Sequence, residues 1–263
     1  MEKTLVCAHR GASGYAPENT MPAFELADEQ GADGIELDVQ MTRDGELVVI
    51  HDERIDRTGD GVGFVKDFTY AELARLNFNK KFPEYGRVQI PTLKEVYQWI
   101  KGTDLTVNVE IKTGEIFYDN IEERVLELSE RMGVADRVIY SSFNHYTVQR
   151  LKQIDETVRT GMLYSDGIVC PVTYAEAVLG ADALHPALYN LQYPKFMESC
   201  RRAGKKVHVW TVNKEEDMRY VLEQKVDAMI TNYPDRGRVL TEQYYDGKLE
   251  PELVLAIKAK GIA

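Results

Sequence analysis

Five side chains able to bind a metal or move a proton stand near the ends of short apolar runs. They are His9, His51, Glu36, Asp38 and Glu110. Glu36 and Asp38 are two residues apart, so on a strand they project to the same face. Charged groups on an inward face are costly unless they are paired or bind a metal. Three carboxylates form an all-oxygen ligand set, which suits a hard divalent cation, Mg²⁺ or Ca²⁺, better than zinc.

The two histidines suit proton transfer beside such a cation. Imidazole titrates near neutral pH, so His9 and His51 could act as general base and general acid. Arg10 and Lys112 could share with the metal the charge that builds on a phosphorus atom. These residue types therefore favour metal-assisted cleavage of a phosphodiester. The sequence leaves open which histidine is the acid and whether water or the substrate's own hydroxyl attacks.

The elements that must position these groups alternate between strand and helix along most of the chain. This alternation predicts parallel βαβ units and, at this length, a (βα)₈ TIM-type barrel. In such a barrel, polar residues at the carboxyl ends of the strands form the site. Nine strands are predicted, one more than the barrel needs.

The surplus strand is Leu47–Ile50, which follows the turn signal Asp44-Gly45. That connection is too short for a parallel crossover, so we predict an antiparallel hairpin strand. A hairpin centred on Arg43 and Asp44 would place residue 36 opposite residue 51. We therefore expect His51 beside Glu36.

Two further segments complete the predicted organisation of one domain over residues 1–263. Residues 53–90 are rich in glycine and too long for a simple loop, which predicts a small inserted subdomain. Residues 250–260 are predicted to form a C-terminal helix.

Composition narrows the function classes. With 32 basic and 43 acidic residues, the net charge of −11 disfavours nucleic acid as a partner. The three cysteines show no paired spacing, so neither a disulfide framework nor a zinc site is predicted. No leader or long apolar stretch is recognised, so we expect a cytoplasmic protein without stable membrane insertion. The oligomeric state is left open, with a homodimer among the predictions.

Eight short motifs along the chain resemble those of the glycerophosphodiester phosphodiesterase family. They are His9-Arg10-Gly11, Pro17-Glu18-Asn19-Thr20, Glu36-Leu37-Asp38-Val39, Thr42-x-Asp44-Gly45, His51-Asp52, Asp56-Arg57-Thr58, Glu110-Ile111-Lys112 and Trp210-Thr211-Val212-Asn213. The resemblance runs from residue 4 to about residue 236 and keeps the motifs in order. One departure, Gly59 where the family often has a second threonine, falls in a predicted loop.

The resemblance implies a TIM-type barrel that hydrolyses glycerophosphodiesters, the small-molecule substrates, to sn-glycerol 3-phosphate and an alcohol. The family's metal ligands correspond to Glu36, Asp38 and Glu110. Its catalytic histidine pair corresponds to His9 and His51. Arg10 and Lys112 correspond to its phosphate contacts, and the segment 53–90 to its small insertion. Which alcohol leaves is not implied.

Three more residues are candidate substrate contacts. Trp210 could stack on the glycerol carbons or fill the barrel mouth, and Phe143 is a similar but weaker candidate. His185 ends a strand and could line the pocket or serve the structure.

Three alternative functions are weighed. A phospholipase-type enzyme could use the same scaffold on intact lipids. In an aldolase-like enzyme, Lys112 would form a Schiff base, although acidic neighbours should keep it protonated. A non-catalytic binding module would have no need for both histidines and a full ligand set.

Overall fold

The computed structural model of the protein describes residues 3–249. Within that range eight parallel strands close into a barrel, because the first strand pairs with both the second and the last. Helices lie between the strands, so the predicted TIM-type barrel is confirmed. The strands are β1 Leu5–His9, β2 Gly34–Met41, β3 Leu47–Val49, β4 Thr106–Ile111, β5 Val138–Ser142, β6 Thr160–Tyr164, β7 Ala183–Pro186, β8 Lys206–Val209 and β9 Ala228–Thr231.

Within the described residues, most helices cover the outside of the barrel, and one short helix lies in the segment after β3. The helices are α1 Met21–Glu29, α2 Tyr70–Leu73, α3 Leu93–Ile100, α4 Ile121–Met132, α5 His145–Ile154, α6 Pro171–Tyr174, α7 Phe196–Arg202, α8 Glu215–Gln224 and α9 Pro234–Tyr245. A π-helical segment, Ala175–Leu179, continues α6. Helix α9 was not predicted, and the predicted helix 250–260 lies outside the described residues.

Side-chain caps are present at the start of α2 and α3 and absent at the start of α1 and α8. Thr69 and Thr92 each form a complete capping box, at α2 and α3. Thr20 precedes α1, but its hydroxyl donates to the Pro17 carbonyl instead of capping the helix. Asn213 does not cap α8; its side-chain oxygen accepts from the Asn232 amide at 2.9 Å.

The side chains of β2 alternate between two environments, as a barrel strand requires. Ile35, Leu37 and Val39 pack outward against the helices in a large apolar cluster. Glu36 and Asp38, one residue further along in each case, therefore project into the barrel. The first seven residues of β2 are buried, and the eighth is partly exposed. Strand β2 therefore places two carboxylates inside the barrel, while its alternate residues pack in the apolar cluster outside the barrel.

Strand β3 lies on the same edge of β2 as β1, further along the strand. β1 pairs with β2 up to Glu36, whereas β3 pairs with it from Val39 onward. Because β3 runs antiparallel, it returns toward the end of β1. The ends of β1 and β3, which precede Arg10 and His51, therefore converge at the carboxyl end of the barrel.

The predicted hairpin strand is confirmed, but the predicted register is wrong by one residue. Val39 pairs with Val49, where a two-residue turn would have paired it with Val48. Thr42 and Glu46 close a three-residue loop, in which Gly45 adopts a left-handed φ of 83°. The extra loop residue moves the extrapolated partner of residue 51 from residue 36 to residue 37.

Residues 53–90 carry their own small apolar cluster against β3. Its buried members are Val48, Ile50, Ile55, Val65, Leu73, Phe78 and Ile90. Besides α2, the segment contains two short 3₁₀ helices, Val65–Asp67 and Pro83–Tyr85. Because Val48 and Ile50 belong to the same cluster, the segment holds the strand that leads into His51.

Candidate active site

Three buried carboxylates meet at the carboxyl end of the barrel. Glu36, Asp38 and Glu110 each offer an oxygen, and these oxygens lie within 4.8 Å of one another. The parallel register of β2 and β4 places Asp38 directly beside Glu110. Asp38 has no exposed surface, and the other two are 3% and 7% exposed. The topology thus brings together residues that are 74 positions apart in sequence (110 minus 36).

Asp38 is held at one oxygen and free at the other. The Asn19 amide donates to its Oδ2 at 2.8 Å, and Arg10 Nε lies 3.3 Å from the same atom. Its Oδ1 is buried without a hydrogen-bond partner in the described structure. Lys112 Nζ is 3.8 Å from that oxygen and donates to Glu110 Oε1 at 2.8 Å.

The cluster carries more negative charge than its cations balance. Burial, then the charges of Asp38 and Glu110, raise the pKa of Glu36 well above its ordinary value. Burial and Asp38 also raise the pKa of Glu110. Burial would raise the pKa of Asp38, but Arg10 and Lys112 outweigh it and hold that pKa below the ordinary range.

This arrangement fits a divalent cation. The donors are all oxygen, one buried carboxylate oxygen lacks a partner, and crowding drives a neighbouring carboxyl toward protonation. A dication would supply the missing positive charge and the missing ligand contact. The cluster could therefore bind a divalent metal.

His9 lies against the carboxylates from the end of β1. Its Nδ1–H donates to the side-chain oxygen of Asn232 at 2.7 Å, and its Nε2 lies 4.0 Å from Glu36 Oε2. Burial, followed by the nearby charge of Arg10, lowers the pKa of His9 to about 4. In this environment the ring is neutral at pH 7, with Nε2 as its free acceptor.

His51 has a different partner. Its Nδ1–H donates to Asp52 Oδ1 at 2.6 Å, and its carbonyl accepts from Gln40 Nε2 at 2.9 Å. The charge of His51 is among the causes that act to lower the pKa of Asp38 and of Glu110. The predicted pairing of residue 51 with residue 36 is wrong by one residue, because the hairpin loop has one residue more than predicted.

Arg10 adopts a left-handed backbone conformation, with φ of 57°. Such a conformation costs on the order of 1–3 kcal/mol in a residue other than glycine and is typical of functional sites. Here it lets the Arg10 amide donate to Glu36 Oε2 at 3.0 Å while the guanidinium turns toward Glu18 at 2.8 Å. Arg10 thus organises one carboxylate with its backbone and another with its side chain.

Lys112 is a fixed cation of the site. Its side chain is 13% exposed and lies between Glu110 and Asp38. Burial would lower the pKa of Lys112, but the two carboxylates outweigh it and raise that pKa above the ordinary value. The amine is protonated at neutral pH.

The remaining three candidates separate into two groups. Phe143 is 43% exposed and lies edge-on to Trp210, with ring centroids 5.2 Å apart. The Trp210 indole donates to the His185 carbonyl at 2.7 Å. His185 has no exposed surface and stacks on His208 at 4.6 Å within the barrel. A ring so enclosed does not fit the predicted substrate contact, and its position is structural.

Sequence reasoning passed over four residues that the structure brings to this site. Asn19 and Glu18 belong to one of the motifs that resemble the family, and neither has a predicted role at the site. Arg57 contacts Glu18 from the segment after β3. Asn232 was missed, although a polar residue directly after the last strand is a signal for a barrel-end site.

Comparison with known proteins decides the family. The model of the glycerophosphoryl diester phosphodiesterase family matches residues 9–236. The chain belongs to this family. The predicted family and enzyme class are thereby confirmed, and the family's dependence on a divalent metal accords with the carboxylate cluster.

Relatives of this family cover nearly the whole chain. A glycerophosphodiester phosphodiesterase of Caldanaerobacter subterraneus is 47% identical over 234 residues, covering 89% of this chain and 96% of its own. One from Bacillus altitudinis is 39% identical over 243 residues, covering 91% and 99%. An Oleispira antarctica phosphodiesterase, solved with the product sn-glycerol-3-phosphate, superposes with a TM-score of 0.83 at 29% identity, covering 91% and 97%.

A search of residues 3–249 for membrane-spanning helices finds none with the required length and apolarity.

Proposed function

We propose that the chain hydrolyses glycerophosphodiesters to sn-glycerol 3-phosphate and an alcohol. The observation that carries this proposal is the buried carboxylate cluster at the barrel end, with His9 at the end of β1 and His51 just after the end of β3 beside it. The product bound to the Oleispira antarctica relative supports the same substrate class.

Glu36, Asp38 and Glu110 would hold the cation, either Mg²⁺ or Ca²⁺. Both ions prefer oxygen ligands, and the described cluster offers no sulfur or imidazole ligand. When bound, the metal would polarise a phosphoryl oxygen and neutralise charge that develops on it. Lys112 and Arg10 would add fixed positive charge on the same side.

The partners of the two histidines favour different roles. His51 has a carboxylate, Asp52, as the partner of its Nδ1, so His51 suits the general acid that protonates the leaving alkoxide. Asn232 is a neutral amide that accepts from His9 Nδ1–H and fixes the tautomer, and burial keeps that ring neutral. His9 therefore suits the general base that takes the proton of the attacking hydroxyl.

Phe143 and Trp210 form an edge-to-face aromatic pair and would contact the apolar face of the glycerol. Lys112 is unsuited to Schiff-base formation, because its carboxylate neighbours keep the amine protonated. A cytoplasmic location and a homodimer stay predictions.

An assay of glycerol 3-phosphate release tests the proposal. Glycerophosphocholine, glycerophosphoethanolamine, glycerophosphoglycerol and glycerophosphoinositol would each be supplied with Mg²⁺, with Ca²⁺ or with chelator. We expect release with a metal and none with chelator. Turnover that resists chelation would contradict the metal centre, and turnover confined to intact lipid vesicles would replace the function with that of a phospholipase-type enzyme.

A further inference from the structure

A continuous chain of ionic contacts runs from Arg10, which follows His9, to His51. Arg57 donates from Nη1 and Nη2 to the two oxygens of Glu18, at 2.6 and 2.8 Å. It also donates from Nε and Nη2 to the two oxygens of Asp52, at 2.6 and 3.0 Å. Glu18 in turn accepts from Arg10, and Asp52 accepts from His51.

Arg57 occupies the middle of this chain and makes four of its six contacts. Four of its five N–H donors bind two carboxylates in two-pronged geometry, which fixes the orientation of all three groups. The Glu18 side chain is only 15% exposed, whereas that of Arg57 is 46% exposed. An isolated surface ion pair contributes little to stability. The effect of these two-pronged contacts is therefore to fix the positions of the groups that they join.

The charges of the chain balance when His51 is neutral. Arg10 and Arg57 are cations, and Glu18 and Asp52 are carboxylates. Hydrogen bonds from Arg57, opposed by burial, lower the pKa of Glu18 and lower that of Asp52 to about 2. Both carboxylates are therefore ionised and available as acceptors at neutral pH.

We propose that Arg57 is a positioning residue that couples the segment after β3 to the proton-transfer and phosphate-binding groups. Through Asp52 it holds the ring of His51 with Nδ1–H as donor, which leaves Nε2 for the substrate. Through Glu18 it holds Arg10 at the edge of the carboxylate cluster. This inference rests on the proposed function, because it assigns Arg57 to the same reaction.

Loss of Arg57 would release both carboxylates. Asp52 could then rotate away from His51, and Glu18 would have Arg10 as its remaining partner among these contacts. Removing a group that orients a site residue typically costs about 10- to 100-fold in activity. We expect a loss of that size in kcat for Arg57→Ala, with a smaller change in KM, since Arg57 does not itself contact the substrate.

The test compares Arg57→Ala with Arg54→Ala on glycerophosphocholine and the metal that supports wild-type turnover. Arg54 is a matched control three residues away, paired at the surface with Asp56 and lying over the Phe64 ring. The readouts are kcat, KM and the melting temperature. Turnover by Arg57→Ala would then be measured with added guanidinium, and with urea as the uncharged comparison.

The expected result is a kcat about 10- to 100-fold lower for Arg57→Ala, partly restored by guanidinium but not by urea, with Arg54→Ala near wild type. A kcat within about threefold of wild type would overturn the inference, as would an equal loss in Arg54→Ala. A loss that guanidinium does not restore would reduce Arg57 to a structural residue.

Two variants keep the test decisive if Arg57→Ala does not fold. Arg57→Lys keeps the charge but cannot span both carboxylates, and Glu18→Gln removes one of them. Each should lower kcat, and the double variant should lose less than the product of the two losses, because both act through one contact. Multiplicative losses would overturn the inference. An inactive wild type would instead remove the proposed function and this inference together.

Discussion

Replacing Glu36 with glutamine should stabilise the metal-free protein while abolishing its response to metal. The substitution keeps the size of the side chain and an oxygen to accept from the Arg10 amide. It removes one of three carboxylates whose oxygens lie within 4.8 Å of one another. At that separation each pair of ionised carboxylates repels by about 3.5 kcal/mol at an effective dielectric constant of about 20. Burial, together with this repulsion, raises the pKa of Glu36 in the metal-free protein.

The effect on stability depends on pH in a defined direction. Because the pKa of Glu36 is raised in the folded protein, ionisation of this carboxyl costs stability. That cost is absent below the pKa of the unfolded chain, about 4.3, grows as the pH rises from there to the folded pKa, and stays constant above it. In chelator, the melting temperature of Glu36→Gln should therefore exceed that of wild type most at alkaline pH, with the difference vanishing near about pH 4.

Metal should reverse the order of the two proteins. A ligand at about 100 times its dissociation constant stabilises a folded protein by about 2.7 kcal/mol. For a chain of this size that corresponds to a rise of about 5–11 °C in melting temperature. Wild type should show this rise with Mg²⁺ or Ca²⁺, and Glu36→Gln should show little. Differential scanning calorimetry measures both arms, with Glu127→Gln, an exposed change on α4, as the control. A wild-type response that survives in Glu36→Gln would refute the assignment of Glu36 as a ligand.

Three further predictions concern a close contact inside the barrel, a helix cap and an aromatic side chain. Gly161→Ala should destabilise the protein by about 1–3 kcal/mol in urea unfolding, because its methyl group would lie 2.4 Å from the buried ring of His185; Gly114→Ala, with no atom within 4 Å, should be neutral. Thr92→Ala should cost about 1 kcal/mol in the same measurement, because it removes the capping box of α3. Phe143→Ala should raise KM by about 2- to 10-fold with kcat nearly unchanged, as loss of an aromatic contact implies.

The parts of the fold that depend on local spacing could be predicted from the sequence. Two-residue spacing on one strand is enough to place Glu36 and Asp38 on the same face. Alternation of strand and helix then brings the end of β4, with Glu110, beside them. Both inferences need only the geometry of single elements and the rule that parallel strands end together.

The parts of the fold that depend on loop length or on distant contacts could not be predicted from the sequence. One extra residue in the hairpin loop moved the extrapolated partner of residue 51 from residue 36 to residue 37, and the sequence signal Asp44-Gly45 fits more than one loop length. Arg57 contacts Glu18 across 39 sequence positions, and no local sequence pattern predicts such a contact.

Helix α9 escaped prediction because its apolar stripe is weak. Pro234 occupies its first turn, and few of its residues are buried. Its position depends instead on close packing against β1, where a methyl group on Gly237 would lie 2.9 Å from Val6. Tertiary contact, rather than amphipathic spacing, determines this helix.

The most direct test of the account separates metal binding from turnover in the same samples. Chelator-stripped wild type, Asp38→Asn and His51→Ala would be titrated with Mg²⁺ and Ca²⁺ by calorimetry and assayed for glycerol 3-phosphate release. We predict that wild type binds metal and turns over, that Asp38→Asn loses both, and that His51→Ala binds metal but loses about 10²- to 10⁴-fold in kcat. Full metal binding by Asp38→Asn, or near wild-type turnover by His51→Ala, would contradict the account.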